Sequence, residues 1–213
     1  VPAYVAPDDP AWGLLTAAPA GIGAVIVNPD SGPGAARSPT LARRVSALRR
    51  AGIPTLGYVA TRFGHRRVGR VLAQMARYER WYRVDGFLFD EAATGPAALP
   101  YYRRLRAAAG RHQVVLNPGA VPDPRYRSVA DAIITFEGTE ARYRAARFPP
   151  WTRTARTVST VYDVPAARLA GVVALARARH AWGLFVTDAG PPNPYDRLPS
   201  YFGRERGLVA AGR

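Results

Sequence analysis

Val84-Asp85-Gly86-Phe87-Leu88-Phe89-Asp90-Glu91 runs from an apolar, aromatic strand candidate straight into two adjacent carboxylates. Inside a strand, Asp90 and Glu91 would point to opposite faces, but at a strand end the turn into the next loop can swing both to one side. The structural alternative makes Asp90 the N-cap of a following helix and Glu91 its solvated neighbour. Ala92-Ala93-Thr94-Gly95-Pro96 is a poor helix start, which weighs against that alternative.

Working outward, seven further apolar runs have the same character: Pro2 to Val5, Ala24 to Asn28, Thr55 to Val59, Gln113 to Asn117, Ala132 to Phe136, Arg156 to Thr160 and Gly183 to Thr187. Between them lie helical patterns at Asp9 to Ala17, Pro39 to Ala51, Arg67 to Tyr82, Leu99 to Ala109, Glu140 to Arg147 and Pro165 to Arg179. A short piece is expected near Arg125 to Ala130, and a closing helix after Pro199. Ser38 before Pro39 reads as an N-cap, and Gly52 and Gly110 fall where helices should stop. Strands alternating with helices predict a parallel α/β architecture. Eight such units in 213 residues predict one domain over residues 1–213, a (β/α)8 TIM barrel of minimal size, with a doubly wound open sheet as the fallback. Polar residues ending most strands favour the barrel, because closure gathers Asn28, Tyr58, Asp90, Asn117, Glu137 and Asp188 at one mouth.

Composition narrows the function. With 48% hydrophobic residues the chain can bury a sizeable core. It has no cysteine, so thiol catalysis and cysteine-built metal sites are excluded, and its three histidines are scattered without ligand spacing. No apolar run approaches the ~20 residues of a membrane-spanning helix. The chain opens at Val1 without signal-peptide features or an initiator Met, so a removed leader and a trimmed chain both remain open. The net charge of +15 comes entirely from arginine. The arginines recur at helical spacing in Ala-rich segments, as on solvated outer helix faces, and nucleic acid is not expected as a primary partner.

A second carboxylate arrives in Ile133-Ile134-Thr135-Phe136-Glu137-Gly138. Glu137 and Asp90 facing each other would supply what glycosidic cleavage needs: one carboxyl to protonate the leaving oxygen, the other to attack, steady positive charge or activate water. Mutual proximity should raise one pKa. Glu137 can also be read as the N-terminal acid of the next helix. The loop Asn28-Pro29-Asp30-Ser31-Gly32-Pro33-Gly34 lacks the lysine of a phosphate-binding loop and reads as a rigid turn, with Asn28 offering its amide to a hydroxyl. Asn117-Pro118-Gly119 repeats the pairing. Tyr4, Tyr58, Tyr162, Trp182 and Tyr195 lie at or near strand termini, where rings can stack on sugars. Tyr4 and Tyr58 are equally readable as layer-filling. Asp188 and Asp196 complete the candidate substrate-binding set, and Trp12 and Trp81 are read as packing. No cofactor or metal is implied by any motif.

The chain resembles the spherulin 4 family, also called spherulation-specific family 4 or glycoside hydrolase family 135. The matching pieces are Val1-Pro2-Ala3-Tyr4, Val27-Asn28-Pro29 with Ser31-Gly32-Pro33-Gly34, Leu56-Gly57-Tyr58-Val59, Trp81-Tyr82 with Val84-Asp85-Gly86, Phe89-Asp90-Glu91, Val115-Leu116-Asn117-Pro118-Gly119, Thr135-Phe136-Glu137 and Pro192-Asn193-Pro194-Tyr195-Asp196. The resemblance implies a (β/α)8 fold and endo-hydrolysis of galactosaminogalactan, a polysaccharide with α-1,4-linked galactose and N-acetylgalactosamine. It also implies that Asp90, Glu91 and Glu137 match the family's acidic trio. The chain departs from the family in its arginine and alanine content, its lack of cysteine and the stretch Ala60-Thr61-Arg62-Phe63-Gly64. One expected mechanism has Asp90 as nucleophile, Glu137 as acid/base and Glu91 tuning them. The rival is substrate-assisted, with Asp90 polarising a 2-acetamido group and Glu91 as the acid. A catalytically inactive polysaccharide-binding barrel at the cell surface is the non-enzymatic alternative. A monomer that is secreted or held at the cell surface is expected.

Overall fold

The computed structural model describes residues 1–211; residues 212 and 213 of the expected domain lie outside the described residues. Eight parallel strands follow in sequence order around one sheet: β1 (Pro2–Ala3), β2 (Val25–Val27), β3 (Thr55–Ala60), β4 (Gly86–Asp90), β5 (Gln113–Leu116), β6 (Ala132–Thr139), β7 (Thr157–Tyr162) and β8 (Gly183–Val186). Helices α1 (Ala11–Ala17), α2 (Pro39–Arg50), α3 (Val68–Tyr82), α4 (Leu99–Ala109), α5 (Glu140–Ala145), α6 (Leu169–Ala178) and α7 (Phe202–Ala210) cover the outside. The short piece after β5 is a 3-10 turn, Pro124–Ser128. This is the (β/α)8 TIM barrel expected from the alternation.

Each strand buries both faces, as parallel sheets do. On the outside, Val25, Val59, Phe87, Phe89, Val114 and Leu116 join the helices in the largest apolar cluster. On the inside, Ile26, Leu56, Leu88, Val115, Ala132 and Ile134 meet in a cluster of their own. Strands from both ends of the sheet line one interior, since Ile26, Leu56, Val115, Ile134, Val158 and Phe185 surround a single cavity near the strand starts. Across the remaining seam, the backbone N–H of Tyr4 donates to the carbonyl of Tyr195 at 3.2 Å.

Local chemistry sets the element ends. Ser38 caps α2 by accepting from the Leu41 N–H at 3.2 Å, with Pro39 in the first turn. Gly57 lets α3 approach β3, for a Cβ there would lie 2.6 Å from the Tyr78 ring. The Tyr78 hydroxyl then donates to the Val27 carbonyl at 2.9 Å, pinning α3 to the sheet.

Candidate active site

Strand alternation aims most of the site. In β4, Phe87 and Phe89 face the helices while Leu88 faces the interior, so Asp90, two residues beyond Leu88, faces inward as well. The same period carries Ile26 to Asn28, Leu56 to Tyr58 and Val115 to Asn117. Regular alternation would do the opposite for Glu137, since Ala132 and Ile134 face inward and would be followed by Phe136. The β6–β7 register shifts between Ile134 and Phe136, and this bulge spends Thr135 as an extra residue. Phe136 accordingly packs outside with Tyr143. Glu137, opposite Thr160, turns into the barrel.

Asn117 joins the two acids. Its amide nitrogen donates to Asp90 Oδ1 at 2.8 Å and to Glu137 Oε2 at 2.7 Å. Its carbonyl oxygen accepts from the Gly119 N–H at 2.9 Å, which leaves both N–H bonds for the carboxylates. Two oxygens held by one nitrogen are separated by no more than about the sum of those bonds, 5.5 Å. Gly119, at φ 63, closes the turn and receives the Glu137 N–H at 3.2 Å. The Tyr195 hydroxyl donates to Glu137 Oε1 at 2.5 Å, and the Tyr58 hydroxyl is near enough to Asp90 to hold its pKa down. Tyr4 stands edge-on between the rings of Tyr58 and Tyr195, with centroids 5.7 and 5.5 Å away.

Burial pushes the Asp90 pKa up, partly offset by the Tyr58 hydrogen bond, and the Glu137 charge raises it further. Burial and the neighbouring acids push the phenols of Tyr4, Tyr58 and Tyr195 well above their usual value. These tyrosines therefore stay protonated donors around the two acids. The site can thus hold two carboxyl groups at close range and keep both of them oriented.

Glu91 lies next to Asp90 on an exposed backbone turn at φ 49, its carbonyl accepting from the Phe63 N–H at 2.6 Å. Asn28 lies past β2, with its side-chain Oδ1 accepting from the Gly32 N–H at 2.9 Å to close the turn. Asp188 follows β8, but its carboxylate is taken up by Arg197 at 3.0 Å and the Ser200 N–H at 3.1 Å. Although burial opposes ionisation, those bonds hold its pKa below the usual range. Its evident work is to anchor the β8–α7 loop that carries Tyr195. Asp196 is exposed beside Tyr195.

Trp182 is a correction. It precedes β8 and lines the cavity at the strand starts, at the end of the barrel away from the acids. There the Arg156 guanidinium lies 5.5 Å from its ring centroid. A residue just before a parallel strand and one just after it both sit at a strand terminus, but chain direction puts them at opposite ends of the barrel.

Sequence reading missed Thr61 and Tyr102. The buried Thr61 hydroxyl is 2.9 Å from each of the Asp90 and Glu91 carbonyls and the Tyr102 hydroxyl, which in turn receives the Ala93 N–H at 2.8 Å. Tyr102 carried only an amphipathic helix signal, and nothing local marks a threonine that reaches a neighbouring loop.

The comparisons with known proteins agree with this fold. The family model for spherulation-specific family 4 matches residues 1–209. The chain belongs to that family. Spherulin-4 of Physarum polycephalum is 29% identical over 233 residues, covering 99% of this chain and 69% of its own length. Among solved structures, Aspergillus clavatus Sph3 in complex with GalNAc superposes with a TM-score of 0.89 at 28% identity, covering 99% of this chain and 96% of Sph3. A Rhizomucor miehei chitinase matches with a TM-score of 0.59 at 13% identity, covering 100% of this chain and 99% of its own, a likeness of fold alone. Within this spherulation-specific family member, the inward acids of β4 and β6 are the features with the strongest chemical signature.

Proposed function

We propose that the chain is a glycoside hydrolase that cleaves within an α-1,4-linked polysaccharide containing galactosamine or N-acetylgalactosamine, such as galactosaminogalactan. The observation that carries this reading is the single Asn117 amide nitrogen bonded to both Asp90 and Glu137. The GalNAc held by Sph3, the 28% identical relative, supports a hexosamine as the sugar.

The reaction follows from the two acids. Glu137, oriented by Tyr195, donates its proton to the leaving oxygen while Asp90 attacks the anomeric carbon and forms a glycosyl-enzyme ester. Glu137, now ionised, takes a proton from water, and that water breaks the ester with net retention. The shared donor holds the facing oxygens of the two acids within about 5.5 Å of each other, and the anomer of the first product tells retention from inversion. Hydrogen bonds from Tyr58 and Asn117 favour the ionised Asp90 that the attack needs. Glu91 tunes the pair from the adjoining turn.

The upward shift of the Asp90 pKa favours a second reading. A carboxylate of raised pKa is the stronger proton acceptor: Asp90 can accept from the N–H of the substrate's 2-acetamido group, whose oxygen then attacks the anomeric carbon in place of Asp90, with Glu91 as the acid that protonates the leaving oxygen. Trapping with a 2-fluoro sugar separates the two: an adduct on Asp90 excludes substrate assistance, and a rate that requires the acetamido group, with no adduct, excludes the nucleophile. The enzymatic reading itself is tested by incubating purified protein with galactosaminogalactan, acetylated or deacetylated, and following products and anomers by NMR. Binding by wild type and Asp90→Asn without oligosaccharide release from either would instead leave a polysaccharide-binding barrel. We place the working chain, a monomer, outside the cell or at its surface, where such polymers lie.

A further inference from the structure

Arg62 and Phe63 in the β3–α3 loop hold consecutive left-handed backbone conformations, at φ 49 and 55, and Gly64 follows at φ 85. Only the glycine adopts that region freely. Strained backbone of this kind persists where surrounding contacts over-determine it, and it concentrates at ligand-binding sites. The over-determination here is visible. Thr61, fully buried, ties the loop to the carbonyls of Asp90 and Glu91 and to Tyr102. The Phe63 N–H meets the Glu91 carbonyl at 2.6 Å, one residue step, about 3.8 Å along the chain, from Asp90.

The strained backbone does not carry the Phe63 ring into the core. Phe63 is 58% exposed, one of three large apolar side chains so exposed among the described residues, and it belongs to none of the apolar clusters. Leu14, another of the three, lies on α1, and Trp182 sits at the opposite end of the barrel. Of the three, Phe63 alone lies on a loop at the barrel end that carries the acids, its backbone N–H on the Glu91 carbonyl. A phenyl ring more than half exposed there, on a backbone locked to the Asp90–Glu91 turn, is an apolar surface open to a ligand.

We propose that Phe63 is a sugar-stacking platform, a specificity-determining residue that receives the C–H face of a hexopyranose unit beyond the one being cleaved, on the β3–β4 side of the acids. This rests on the hydrolase reading and deepens it. The ring offers stacking and no hydrogen bond, so it grips a neighbouring unit of the polymer without reading its hydroxyls. A free monosaccharide seated at the acids gains nothing from it.

The test uses the full chain carrying Glu137→Gln, so that binding is read without turnover, with Phe63 either intact or replaced. Calorimetric titration with long α-1,4-linked hexosamine oligosaccharides should give a Kd about tenfold weaker for Phe63→Ala, the size of one aromatic stacking contact, and an unchanged Kd for free GalNAc. Phe63→Tyr should bind as the parent does. Phe63→Gly should also weaken oligosaccharide binding while raising the melting temperature, since glycine relieves the left-handed strain; a purely structural side chain would lower it. Equal oligosaccharide affinity in Phe63→Ala and its parent would overturn the platform and leave the hydrolase reading standing. Should neither bind any oligosaccharide and the wild type release none, the platform falls together with the reading beneath it.

Discussion

Asp85 and Asp131 at the strand starts each take a backbone N–H beside a side-chain donor, whereas Asp90 and Glu137 at the mouth meet on one shared side-chain donor. At the strand starts, Asp85 accepts from the backbone N–H of Thr55 at 2.8 Å and its hydroxyl at 3.0 Å, and Asp131 accepts from the backbone N–H of Val114 at 2.7 Å and from Arg106 at 2.8 Å. Each stitches one strand to the next. At the mouth, Asp90 and Glu137 share the Asn117 amide, and Glu137 takes the Tyr195 hydroxyl as well. A carboxylate committed to backbone amides is part of the scaffold. One held by side-chain donors above the strand ends is fixed in direction while its environment remains adjustable, which proton transfer requires.

The largest consequence of that contrast falls on Asp90→Asn and Glu137→Gln. Each should lower turnover of the polysaccharide by about a thousandfold or more, with thermal melts close to wild type, whereas Asp131→Asn should lower the melting temperature and leave turnover near normal. Wild-type rates in both mouth variants would remove the functional distinction between the two ends.

The next largest effect belongs to the shared donor. Asn117→Ala removes a hydrogen bond that lowers the Asp90 pKa, so that pKa should climb further. If the attack needs ionised Asp90, the acid limb of the kcat/KM profile should move to higher pH. Turnover at the optimum should fall by about ten- to a hundredfold. A profile that stays in place would show that Asn117 does not tune the pair.

Glu205 sharpens the comparison from outside the mouth. This acid of α7 accepts from the Val186 N–H at 2.6 Å, and burial pushes its pKa up to about 8. A carboxyl raised in the folded state keeps its proton where the unfolded chain has lost it, so stability should decline as pH rises from about 4.5 to about 8. Glu205→Gln should flatten that decline and gain a few kcal/mol at pH 8, with turnover unchanged. Melts across that window decide it.

The smallest effect is expected at Trp182→Ala. Losing the exposed contact with Arg156 should cost about 0.5–1 kcal/mol, and oligosaccharide binding should not change. Weakened binding in that variant would bring the base of the barrel into the site and undo the division between the two ends.

Much of this protein was legible along the chain. Apolar runs, helical spacing, Ser38 with Pro39 and the polar strand ends specify the units of the barrel, and two-residue alternation aims Asp90, Tyr58 and Asn117, because each follows from geometry within a few residues. The direction of Glu137 was not legible, since it depends on a bulge in β6 that forms only against β7. Nor was the bond from Tyr195, 58 residues away in sequence, or the Thr61 clamp that fixes the turn at Glu91. Sequence alone determined the elements and which residues end them, because dihedral preference and amphipathic period are local. Tertiary structure decided which acids share a donor, because a bulge and a loop settle only when distant segments close the barrel around them.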